Sequence, residues 1–182
     1  MESMTIEKFN VAYKLVENLD FTLAIEKLQT ESAGGWSKDR ALKAVEDYKK
    51  YLAITKVLDG YQLVPNGDID EIWHYHIMDT RQYVKDCYDI FGGFLHHYPY
   101  FGMIDEENEK KWLETQEVSQ NIWKNLFNED LYSTEAQKCP QACPCGDTLV
   151  FQEPQKCPQA CPCQKDTDNK GIDYNYLKKF VA

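Results

Sequence analysis

Apolar residues recur along the first 127 positions at intervals of three and four, the spacing of helices that bury one face. Between Thr5 and Leu19 the repeating positions are Ile6, Phe9, Ala12, Tyr13, Val16 and Leu19. Asp20 can cap a second, short helix that carries Leu23, Ala24, Ile25 and Leu28. Gly34 and Gly35 interrupt the pattern. Ser37 then fits an N-cap for a long helix with Leu42, Val45, Tyr48, Leu52 and Val57 inward. Gly60, Pro65 and Gly67 mark a loop.

Asp68 and Glu71 have the spacing of a capping box, with Asp in place of Ser or Thr, so a fourth helix is expected from there to about Ile90. Gly92 and Gly93 end it. An aromatic-rich connection follows, and Asp105 caps a last long helix through Trp112, Leu113, Ile122, Trp123 and Leu126. Nothing in this stretch alternates with a period of two. The expected fold is an all-α helical bundle of about five helices over residues 1–128.

Residues 129–182 have a different composition. Six of the seven cysteines and five of the seven prolines lie between Cys139 and Cys163. The unit QKCPQACPC occupies 137–145 and recurs unchanged at 155–163. Proline at this density prevents regular helix and sheet. This second region reads as an irregular Cys/Pro-rich tail, with a short terminal helix expected in GIDYNYLKKFV.

Charge narrows the partners. The net charge of −10 argues against a nucleic-acid partner, because phosphate contacts need clustered Lys and Arg, and equally disfavours an anionic membrane surface. No apolar run approaches a membrane span, and MESMTIEKFN has no apolar signal core. A cytoplasmic protein is therefore expected. Thiols stay reduced in that compartment, so clustered cysteines suggest metal chemistry more than disulfides.

All four histidines fall within residues 74–97, in DEIWHYHIMDTRQY and HHYPYFG. On a continuous helix with His76 at zero, Ile69 and Cys87 fall at about +20° and Tyr83 at about −20°. Ile72 and Asp79 lie at about −40° and −60°, and Thr80 at about +40°. His76 thus faces inward on an apolar stripe that is unusually polar. His74 lies about 160° away, nearer Asp70, and is expected at the surface. Two imidazoles at i, i+2 on a regular helix cannot share a metal. A loop returning over the helix would bring His96 or His97 toward His76 and Asp79. Such a His/carboxylate set suits iron, manganese or zinc. The competing expectation is a satisfied buried network in which His76 and Asp79 only hold structure.

The stretches GWSKDRALKAVEDYKKYL, LVPNGDIDEIWHYHIMDTRQYVKDC and FGGFLHHYPYFG resemble the glycine-rich domain-containing protein-like family, its bacterial members most, over roughly residues 34–103. The chain has none of the glycine-rich segments that give that family its name. The resemblance implies a helical domain and marks Trp73, His74, His76, Asp79, Thr80, His96, His97, Pro99 and Tyr100 as motif positions. It implies no reaction.

The tail offers a second ligand set. Each repeat is C-x3-C-x-C: Cys139, Cys143 and Cys145, then Cys157, Cys161 and Cys163. Six thiolates would suit a zinc site, a small cluster or Cu(I). The sequence contains no phosphate-binding loop, no nucleophile elbow and no H-E-x-x-H. Cys87 and His76 are eleven residues apart, about 16 Å along one helix, and cannot form a dyad. The resulting expectation is a metal-binding helical protein, its reaction and enzyme status open. The alternatives are a non-enzymatic interaction protein with a protein partner, or a precursor whose repeats a modifying enzyme processes.

Overall fold

In the computed structural model, residues 4–132 are described. They form six α-helices and no strand: α1 (Ile6–Tyr13), α2 (Thr22–Leu28), α3 (Lys38–Val57), α4 (Gly67–Met78), α5 (Thr80–Phe91) and α6 (Glu106–Phe127). A 3-10 turn at Glu31–Ala33 precedes α3. The all-α class is as the hydrophobic spacing predicts. The Cys139–Cys163 repeats lie outside the described residues.

The 20-residue α3 is the central element, in contact with α1, α2 and α4. It is buried along much of its length, through Tyr48, Tyr51, Leu52, Ala53 and Ile54. Trp73, Ile69 and Ile72 of α4 and Ile122 and Trp123 of α6 complete the core. Burying each of these large side chains stabilises the fold by roughly 1.5–3 kcal/mol. Among the described residues, no helix is long and apolar enough to cross a membrane.

Several caps follow the local sequence. The Ser37 side chain accepts from Arg40 N–H at 3.2 Å, and Asp105 accepts from Asn108 N–H at 2.8 Å. Gly92 ends α5 with a φ of 75°, a conformation that glycine adopts without a Cβ penalty. The start of α4 differs from expectation. Asn66, not Asp68, is its N-cap, accepting from Ile69 N–H at 2.8 Å. The first turn then holds Asp68 and Asp70, which favour the positive end of the helix dipole.

The larger difference is at Asp79. The expected single helix from 68 to 90 is two helices, because Asp79 has φ −82° and ψ 75°. Its amide still donates to the Tyr75 carbonyl, while its side chain accepts from Gln82 N–H at 3.2 Å. One residue therefore closes α4 and caps α5. The two helix axes need not be collinear, so angles extrapolated across Asp79 no longer apply. Asp79 and Thr80, expected inward, are exposed, whereas Asp86 is buried.

Candidate metal centre

The inward histidine is enclosed by three helices. His76 is 4% exposed, and its Nδ1 lies 3.0 Å from the Tyr48 hydroxyl of α3. Its Nε2 lies 3.1 Å from Asp86 Oδ2 of α5. Both bonds are satisfied when Nε2–H donates to the carboxylate and Nδ1 accepts from the tyrosine, the tautomer that this network assigns. Gln82 Nε2 donates to both Asp86 oxygens at 2.8 Å. Burial pushes the imidazole below its usual value, against the opposing pull of Asp86, and pushes the Tyr48 phenol well up. Phe21 and Tyr83 meet the imidazole edge-on, at 5.1 and 4.9 Å between centroids.

The structure does not bring His76, Asp79, His96 and His97 together. His76 uses both ring nitrogens within the core. Asp79 is at the helix break, facing solvent. The His96 ring packs on Phe94, with centroids 4.8 Å apart, while its carbonyl accepts from Gln62. The physical reason is the break: it makes Asp86, about two turns into α5, the carboxylate that His76 meets. Cys87 is buried on the same helix, and burial raises its thiol, which disfavours the thiolate.

His97 belongs to a different cluster. Asp70 and His74 are one turn apart on α4, hence on one face. His74 Nε2 is 3.8 Å from Asp70 Oδ2, and His97 Nε2 is 2.9 Å from Asp70 Oδ1. The two imidazoles lie 4.8 Å apart by centroid, tilted by 34°. One ligand atom from each of the three residues falls within 4.8 Å of the others. Donors bound at about 2.0–2.2 Å to one zinc stand roughly 3–3.5 Å apart, so modest side-chain rotation closes the set. The His97 side chain is largely buried, against 4.4 Å of the Trp73 ring, while His74 and Asp70 reach solvent.

The loop is held over α4 by a relay of hydrogen bonds. Trp73 Nε1 donates to the Tyr83 hydroxyl at 2.9 Å, and that hydroxyl donates to the Leu95 carbonyl. Gln62 donates to the next carbonyl, that of His96. These contacts fix the backbone on which His97 stands. The sequence places His74 on the outward face near Asp70 and at the surface, and it is exposed there. The i, i+4 Asp–His spacing was the available signal. The convergence of His97 on that pair is a property of the loop's path.

A cavity of about 230 Å³ opens beside the cluster, and Asp70 and His97 are part of its lining. Trp73, Tyr98, Phe101 and Trp112 line it too, with Gln62 and Asn66 among the polar groups. Its wall is tied to α6 and to the segment after it: Val64 N–H donates to Ser119 Oγ of α6 at 2.9 Å, and the Tyr132 hydroxyl donates to the Val64 carbonyl at 2.7 Å. Asn66 Nδ2 donates to the Leu131 carbonyl at 2.9 Å.

No curated protein and no solved structure matches the chain. The resemblance to the glycine-rich domain-containing protein-like family, drawn from motifs within residues 34–103, is corrected by a match over a longer span. That span, residues 11–140, contains α2 to α6, Asp70, His74, His97 and the cavity lining. It matches the UCP032817-like family, and the chain belongs to that family.

Proposed function

We propose that the protein binds one first-row transition-metal ion through Asp70, His74 and His97, with open coordination positions available to a molecule in the adjoining cavity. The observation that carries this reading is the approach of one carboxylate and two imidazoles, with ligand atoms within 4.8 Å of one another, at a cavity that two of them line. Two histidines and one carboxylate leave positions free on zinc or iron(II), the arrangement of reactive rather than purely structural sites. An ion held there would act as a Lewis acid or lower the pKa of a bound water. Asp70 also accepts from His97, which orients that ring before any ion binds.

The six repeat cysteines, Cys139, Cys143, Cys145, Cys157, Cys161 and Cys163, supply a separate, softer set suited to zinc or Cu(I). Its support is the exact repetition of C-x3-C-x-C in the sequence. The two sets are separable by experiment. Elemental analysis of tag-free, full-length protein is expected to find one metal per chain that survives substitution of all six cysteines by Ser. His74→Ala and His97→Ala are expected to abolish it. A metal-free wild type, or a metal indifferent to both histidine variants, would exclude the Asp70–His74–His97 centre and leave the Asp70–His97 contact as a clamp on the loop.

A further inference from the structure

The cavity wall limits what can enter. Trp73, Tyr98, Phe101 and Trp112 supply aromatic surface, and the lining contains neither Lys nor Arg. Among the lining side chains a phosphate or free carboxylate finds no cationic partner, so an anion there would be held only through the metal. The size sets a scale. An apolar cavity of roughly 150 Å³ holds benzene. At about 230 Å³ this one has room for a single substituted ring. With the metal in place, the strongest attraction available to an oxygen donor is at the Asp70–His97 edge.

We propose that the cavity takes a single-ring aromatic compound with vicinal oxygen donors, of the catechol class, its ring against the aromatic wall and its oxygens completing the coordination of the metal. This rests on the metal reading above. A compact chelating ring satisfies both halves of the site. The indoles and phenyl groups bury its faces, with offset or edge contacts that add to area burial. Vicinal oxygens occupy the positions that three protein ligands leave open. A carboxylate-bearing aromatic cavity without a metal would instead favour an organic cation, and the two outcomes differ in experiment.

The test uses full-length protein dialysed to one Zn²⁺ per chain. Tryptophan fluorescence is titrated with catechol, with cyclohexane-1,2-diol and with tetramethylammonium, and zinc content is measured afterwards. The expected result is saturable quenching by catechol with zinc retained. Binding should weaken at least tenfold in zinc-free protein and in His74→Ala. Trp112→Phe and Phe101→Ala should keep the zinc and weaken catechol severalfold, with cyclohexane-1,2-diol binding poorly throughout. Zinc bound but catechol absent, catechol affinity independent of zinc, or zinc stripped by catechol would each overturn the inference while leaving the metal centre standing. Tetramethylammonium binding in place of catechol would overturn it in favour of an organic-cation site. Failure to bind zinc at all would overturn this inference and the metal reading together.

Discussion

His74 and His76 stand two residues apart on α4 and face opposite environments. His76 is sealed between Tyr48 and Asp86, with both ring nitrogens bonded. His74 is exposed and lies against His97, 4.8 Å away by ring centroid. A helical turn of 3.6 residues makes this separation unavoidable. It places one histidine in the core network and the other in the proposed metal centre, and variants at the two positions separate them.

His76→Ala should destabilise the fold without removing metal. The substitution strands Asp86 in the core with only Gln82 as a partner. Removing one hydrogen-bond donor from a buried carboxylate costs about 1–3 kcal/mol, and the surviving Gln82 bond limits the loss. Urea unfolding measures the loss, and metal content per folded chain should stay at the wild-type value. Equal stability in the two proteins would show that the buried network contributes nothing.

Acid should weaken the fold through the same imidazole. Burial holds His76 below its ordinary value, so the unfolded chain takes up a proton that the native chain resists. Stability from this group is complete above the ordinary histidine value of about 6.5 and is lost as pH falls from there through the lower native value. Wild type should therefore lose stability on acidification below about pH 6.5 more steeply than His76→Ala. Parallel curves of unfolding free energy against pH would refute this.

Asp79→Ala tests the helix break. Asp79 caps α5 through Gln82 N–H and is exposed. Loss of such a cap costs about 1 kcal/mol. Metal content should not change, since Asp79 is outside the Asp70–His74–His97 cluster. Metal lost with the fold intact would restore Asp79 as a ligand.

Gly102→Ala should disturb the cavity wall. Gly102 has φ +94°, and a Cβ there would stand 2.9 Å from Trp112 Cγ. Its N–H is also held by Asn108 Oδ1 at 2.6 Å, which resists relief by backbone movement. Gly92→Ala is the control, with φ +75° and nothing within 4 Å of its Cβ. Backbone strain of roughly 1–2 kcal/mol is common to both. Gly102→Ala alone should also alter the near-UV dichroism of tryptophan. Identical spectra for the two variants would mean that Trp112 is not constrained by that contact.

The sequence by itself determined the helical class, because apolar residues at intervals of three and four can bury a continuous face only on a helix. Ser37, Asp105 and Gly92 were legible as boundaries because a cap acts within four residues of its own backbone. The inward direction of His76 and the outward direction of His74 were legible for the same reason: both follow from Ile69, Ile72 and Trp73 on an unbroken turn. The partners were not. Asp79 breaks the helix through one ψ angle of 75°, and that single torsion replaces Asp79 with Asp86 beside His76. Only tertiary structure decided that the loop returns over the outer side of α4, where Tyr83 and Gln62 hold the carbonyls of Leu95 and His96 and leave His97 on Asp70. Periodicity fixes which way a side chain points from its own helix, whereas the path of a loop depends on hydrogen bonds between residues far apart in the chain, which local spacing does not encode.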